Sequence, residues 1–225
     1  YNGTNSDSTP LWGWEVPLDR AQVQIPAEQL ARQRDFETKI RDMHAQRPLR
    51  AMVDTFGCQQ NVADSEKIKG MLEQSGFEFS DEPDNADFIL FNTCAVREHA
   101  EDRVFGNVGA LKNLKRKHPQ ILIALCGCMM EQEHVANKIY KSFPFVGLVF
   151  GTHSLHHFPE LMYNALLDGK RVFERGNDDN QLYEGFPVKR DGTFKGWLPI
   201  MYGCNNFCTY CIVPVSYTQL TLPTI

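Results

Sequence analysis

The chain has 225 residues, with 23 basic against 28 acidic side chains and a net charge of -5. At about 100–200 residues per domain, that is room for one full domain and part of another. A hydrophobic share of 42% with 11% aromatics supplies enough apolar surface for a core and excludes wholesale disorder. No apolar run reaches the roughly 18 residues of a membrane span, so no membrane association is expected. The first residues lack a basic-then-apolar signal pattern, and seven cysteines, an odd number, do not suit a disulfide framework. A reducing, cytoplasmic setting is therefore expected. Mild acidity by itself points to no nucleic-acid partner.

In chain order, residues 1–47 read as a polar arm followed by a helix. The arm carries Pro10, Pro17 and Pro26, and the helix, over about 27–46, has a weak apolar stripe of Leu30, Phe36, Ile40 and Met43. From residue 50 the pattern becomes regular. Short, nearly continuous apolar runs at 51–56, 87–92, 120–125 and 145–150 alternate with helical stretches, as strands covered on both faces should. Asn61 is placed to cap a helix that buries Ile68, Met71 and Leu72 and stops at Gly76. Val104, Val108 and Leu111 mark the next helix, ended by Pro119; Val135, Ile139 and Phe143 mark a third, closed by Pro144. Leu155, Phe158, Leu161, Met162 and Ala165 mark a fourth, closed by Gly169. This alternation predicts an α/β domain at about 48–170, an open parallel sheet with flanking helices and right-handed crossovers. Residues 171–196 have linker composition, with one short strand at 171–174. An apolar run at 197–202 then opens a further unit, 197–225.

Three cysteines follow three of the expected strands: Cys58 and Cys94 by two residues, Cys128 by three. In a parallel sheet the carboxyl ends of all strands share one edge, where ligands bind, so these thiols are expected to meet in space. Gly57 and Gly127 precede two of them, allowing close approach of a bulky inorganic group. Three thiolates suit an iron–sulfur cluster with one iron free of protein ligands; the competing reading is that each is a small buried hydrophobe. Cys126, inside or at the end of its strand, is expected to be structural. Farther on, Cys204, Cys208 and Cys211 form a C-x3-C-x2-C loop. Such a loop can wrap three irons of a [4Fe–4S] cube and leave the fourth open. Structural zinc takes four ligands, and no His or fourth Cys lies near the loop.

The loop spacing, with Tyr210 just before its third cysteine, resembles that of radical S-adenosylmethionine enzymes. Gly57-Cys58-Gln59-Gln60-Asn61, Asn92-Thr93-Cys94-Ala95-Val96-Arg97-Glu98, Gly127-Cys128-Met129 and Tyr202–Pro214 together resemble the methylthiotransferase family of that superfamily, and most closely its tRNA-acting branch. The resemblance implies an amino-terminal α/β domain with an auxiliary [4Fe–4S] cluster on Cys58, Cys94 and Cys128. It also implies a radical barrel whose [4Fe–4S] cluster, on Cys204, Cys208 and Cys211, binds S-adenosylmethionine, with Tyr210 as a contact. By the same resemblance the reaction adds a methylthio group to C2 of N6-dimethylallyladenosine 37 in a tRNA anticodon loop. An electron donor is needed, and a monomer is expected. Other substrates within the family are another tRNA adenosine or a ribosomal-protein aspartate; outside it, the alternative is a non-catalytic iron–sulfur or zinc module.

After Pro214 the sequence departs from the family pattern. The expectation is a truncated chain holding only the start of the barrel and inactive by itself. Lys112, Lys115, Arg116, Lys117 and His118 are expected to form a solvated face that complements a helix end rather than a tRNA contact. His153, His156 and His157 are expected at the surface, and Trp12, Trp14 and Trp197 to lie against the body. Arg97 and Glu98 suit either a contact near the cluster or a surface ion pair.

Overall fold

The computed structural model describes residues 23–24, 26–95, 100–175, 181–182, 185–192, 194–199 and 208–209. Trp12, Trp14, Arg97, Glu98, Cys204, Tyr210 and Cys211 lie outside them. The elements run β1 (Val23–Gln24), α1 (Ala27–Met43), β2 (Arg50–Phe56), α2 (Gln59–Gln74) and β3 (Glu78–Phe79), then β4 (Phe88–Thr93), α3 (Ala100–Lys117) and β5 (Leu122–Gly127). They continue with α4 (Glu133–Ser142), β6 (Leu148–Phe150), α5 (Phe158–Asp168), β7 (Val172–Glu174) and β8 (Gln181–Leu182). Six strands form one sheet in the order β3-β2-β4-β5-β6-β7, and every neighbouring pair is parallel. β1 and β8 pair separately, also in parallel.

Why the strands read as continuous apolar runs is visible in the packing. Along β4, Phe88 and Leu90 face a core with α1, α2 and α5, built on Ile40, Ile68, Met71, Leu72, Phe158 and Leu161. The alternate residues Ile89 and Phe91 face a second core with Val104, Val108 and Leu111 of α3 and Val135 and Ile139 of α4. β5 alternates in the same way, and every residue of both strands is buried. A pleated strand sends successive side chains to opposite faces, so two covered faces demand apolar residues at both parities. Each fully buried Leu, Ile or Phe contributes about 1.5–3 kcal/mol.

Several local expectations are revised. α2 begins at Gln59 with Cys58 as its N-cap, and Asn61 is its third residue, its side chain folded back onto the cap. β6 starts only at Leu148, because a turn in which the Val146 N–H donates to the Phe143 carbonyl holds residues 145–146 out of the ladder. The three histidines do not lie at the surface: His156 is buried, and His153 and His157 are half-buried. They occupy a 3-10 turn, 152–157, tucked under the start of α1, where Gln29 and His157 are hydrogen-bonded at 2.7 Å. Lys115 turns back to donate to the carbonyls of Pro119 and Ile121, while Lys112, Arg116 and Lys117 are exposed on the last turns of α3. Trp197 is half-buried, with the Lys195 ammonium 4.5 Å from its ring centre.

Part of the stretch of linker composition packs against α2. The Lys189 N–H donates to the Glu66 carbonyl at 2.9 Å, and Lys69 pairs with Asp191 at 2.6 Å. Residues 185–191 thus form a strap across the outer side of that helix.

Two consequences can be measured. Burial raises the Glu37 carboxyl on α1 from 4.5 to about 7, against the pull of Arg34 and Arg41. An acid whose folded pKa lies above its unfolded one keeps a proton that the unfolded chain has released, so this group lowers stability as pH rises from 4.5 to about 7. Glu37→Gln is expected to leave stability near pH 4 almost unchanged and to raise it at pH 8 by on the order of 1–3 kcal/mol. Urea titrations at the two pH values check this, and equal effects at both would contradict it. Gly127, at the end of β5, has φ 102°. Gly127→Ala is expected to cost about 1–3 kcal/mol from backbone strain alone, read in the same titrations.

Candidate metal centre

The chain after β2 crosses through α2 to β3 on one side, while β4 lies on the other side of β2 and leads into α3 on the opposite face. Where two neighbouring strands send their connections apart, a crevice opens beyond their carboxyl ends, and α/β sheets bind ligands there. Cys58 follows β2 at that point and Cys94 follows β4. Cys128 follows the next strand, β5, and opens a 3-10 turn, Cys128–Glu131.

The structure brings the three to one rim. The Cys58 and Cys94 side chains lie close enough to interact. The Ala95 N–H, one residue after Cys94, donates to Cys128 Sγ at 3.1 Å. Cys94 and Cys128 are buried, and Cys58 is half-buried, at the opening of the crevice. Among the described residues no three His, Cys, Asp or Glu side chains form a ready cage for a single ion.

Beneath the thiols lies a pair of buried amides. Asn61 Oδ1 accepts from the Cys58 N–H at 3.1 Å and from its S–H at 3.3 Å. Asn61 Nδ2 donates to Asn92 Oδ1 at 3.0 Å and to the Thr93 carbonyl at 3.1 Å. Asn92 Nδ2 returns to the Asn61 carbonyl at 2.8 Å and to Ser65 Oγ at 2.9 Å. Both glycines before the cysteines fit over this pair. A Cβ on Gly57 would overlap the Asn61 side chain, and one on Gly127 would overlap the Thr93 carbonyl and Asn92 Oδ1.

The charges around the rim are shaped by burial. Contact with Cys94, and then burial, push the Cys58 thiol well above its ordinary range. Burial raises the Asp64 carboxyl on α2 to about 6, although Lys67 and the Gln60 amide favour its ionised form. Burial also raises Glu131, whose carboxylate accepts from the His153 N–H at 3.1 Å and ties the turn after Cys128 to the segment following β6. Cys126 is different. It lies within β5, buried in the core with Phe88 and Phe150, and burial pushes its thiol far up.

Three soft thiol donors at one rim, with a backbone N–H aimed at one sulfur and bare glycine backbone beside two of them, suit an iron–sulfur cluster. A cluster takes its thiolates on different irons, so the sulfurs need not converge on one point. Of the second trio, Cys208 is described and exposed. The sequence reading passed over the Asn61–Asn92 pair, Asp64 and Glu131. The sequence does place both Asn beside the rim, since one follows a rim cysteine by three residues and the other precedes the next by two, but it carries no signal for their mutual contact.

The sequence has counterparts among known proteins. Residues 50–151 match the model of Uncharacterized protein family UPF0004. The chain is 51% identical over 162 residues to a tRNA-2-methylthio-N(6)-dimethylallyladenosine synthase of Clostridium perfringens, across 72% of this chain and 36% of that protein. The protein of the same name from Clostridium tetani is also 51% identical over 162 residues, with the same shares. That from Thermoanaerobacter sp. (strain X514) is 43% identical over 194 residues, 86% of this chain and 41% of that protein. The chain therefore spans between a third and a half of the length of these relatives. Residues 50–151, with their parallel sheet and the cysteine motifs on its rim, thus form a UPF0004 domain, in a chain similar to these tRNA-2-methylthio-N(6)-dimethylallyladenosine synthases.

Proposed function

We propose that the protein serves tRNA methylthiolation, adding a methylthio group to C2 of N6-dimethylallyladenosine at position 37. In this reading Cys58, Cys94 and Cys128 hold an auxiliary [4Fe–4S] cluster. Cys204, Cys208 and Cys211 hold a second one, with S-adenosylmethionine bound beside Tyr210. The observation that carries it is the gathering of three thiols at the switch point between β2 and β4. When bound, the clusters supply the sulfur chemistry and the single electron that opens S-adenosylmethionine.

The chain's own residues prepare the place for this. Cys58 is half-buried, while Cys94 and Cys128 are buried. The thiols must lose their protons to bind metal, and loading therefore releases protons. The Ala95 N–H donates to Cys128 Sγ. The basic end of α3 lies at the opposite, amino-terminal edge of the sheet, so it does not present an anticodon loop to this rim. Among the described residues no helix is long and apolar enough to cross a membrane. The reading places the enzyme in the cytoplasm as a monomer, supplied with electrons by a separate donor.

Anaerobic reconstitution with iron and sulfide tests the ligand assignment. About eight irons per chain are expected for two cubes, and Cys58→Ala, Cys94→Ala or Cys128→Ala should each remove about four. Full iron in all three variants would defeat the assignment, and four-coordinate zinc in place of iron would favour a structural module. For the reaction, the full-length enzyme is expected to convert N6-dimethylallyladenosine 37 to its 2-methylthio form, seen by nucleoside mass spectrometry. Modification of a different tRNA adenosine, or of a ribosomal-protein aspartate, would assign another substrate.

A further inference from the structure

The amide pair under the rim touches the backbone beside each of the three thiols. Asn61 accepts from the N–H of Cys58 itself. Its Nδ2 donates to the carbonyl of Thr93, the residue before Cys94. Asn92 Oδ1 lies over Gly127, the residue before Cys128, so closely that only glycine fits there. Asn61 and Asn92 are 0% and 1% exposed, and each is bonded to the other. Two buried amides are an expensive way to fill space, because each must have its partners or lose stability. Their bonds have fixed directions, however, which apolar contacts lack, and a buried polar network can specify one arrangement where apolar packing allows several.

We propose that Asn61 and Asn92 are positioning residues for the metal centre, a reciprocal amide clasp that sets the mutual placement of Cys58, Cys94 and Cys128. This rests on the reading of those three as cluster ligands. The clasp ties the ends of β2 and β4 through the first turn of α2. Ser65, which accepts from Asn92 and is hydrogen-bonded to Thr55 Oγ1 at 2.8 Å, extends the tie back into β2. Without the clasp the ladder hydrogen bonds still hold the strands, but they stop at Phe56, Thr93 and Gly127, short of the cysteines.

The test uses the full chain with Cys204→Ser, Cys208→Ser and Cys211→Ser, so that bound metal reports the rim trio. Asn61→Asp keeps the acceptor for the Cys58 N–H and removes the donations to Asn92 and Thr93. Asn92→Ser shortens the other half, and its agreement with Asn61→Asp guards against a misfolded single variant. Ile139→Ala, in the core of α4 on the opposite face, serves as a control for lost stability. Cd2+ is titrated under reducing conditions and followed by sulfur-to-metal charge-transfer absorption; reconstitution with iron and sulfide is followed by electron paramagnetic resonance. Both Asn variants are expected to bind Cd2+ at least tenfold more weakly and to give broadened cluster spectra. Ile139→Ala should keep the affinity of the parent chain despite a lowered melting temperature. Parent-like Cd2+ affinity in both Asn variants, or an equal loss in Ile139→Ala, would overturn the clasp. If Cd2+ affinity falls as expected but even the parent takes up no iron and sulfide, the clasp stands and the cluster reading fails.

Discussion

A parallel strand cannot be followed by its neighbour without a crossover that carries the chain back to the starting edge. Every connection in this sheet obeys that constraint, so residues placed just after a strand are delivered to one rim however far apart they are in sequence. Cys58, Cys94 and Cys128 are each separated from the next by about one strand–helix–strand unit. The order β3-β2-β4 adds a second constraint, because α2 and α3 leave the rim on opposite faces. The opening between them requires no special loop. It follows from the direction in which the chain was wound.

The same constraint separates the charged features of the molecule by position. Lys112, Arg116 and Lys117 end a helix that begins at the rim, and so they stand at the far edge of the sheet. Lys115 is turned onto two backbone carbonyls, a familiar use of a cation at a helix carboxyl end. Carboxylates near the rim are instead hydrogen-bonded, Asp64 buried and Glu131 half-buried. Such groups hold elements together and leave the thiols as the chemically distinctive side chains of the crevice.

How far the sequence could be read depended on how many residues carried each signal. β4 and β5 were legible because six consecutive buried positions leave a continuous apolar run. β3, with two residues and only Phe79 partly buried, has no periodicity to detect. The cysteines were legible because thiols are rare and their spacing matched the strand–helix unit. The amide pair was not, since Asn92 at a strand end looks like the polar residue that stops a strand, and Asn61 looks like an ordinary helix cap. Its meaning lies in a contact across 31 residues, which no local pattern reveals. His156 shows the opposite error. A run of histidines suggested exposure, whereas the 3-10 turn beneath α1 buries the middle ring.

The strap over α2 gives that helix two masters. At its first turn it carries Cys58 and half of the amide pair, and along its outer side it is gripped by residues 185–191 through Glu66 and Lys69. The sequence downstream of the strap leads to the second group of cysteines. A pull or a release on that downstream chain would therefore be felt at the mouth of the crevice through about two to three turns of stiff helix, without any contact being made at the thiols themselves.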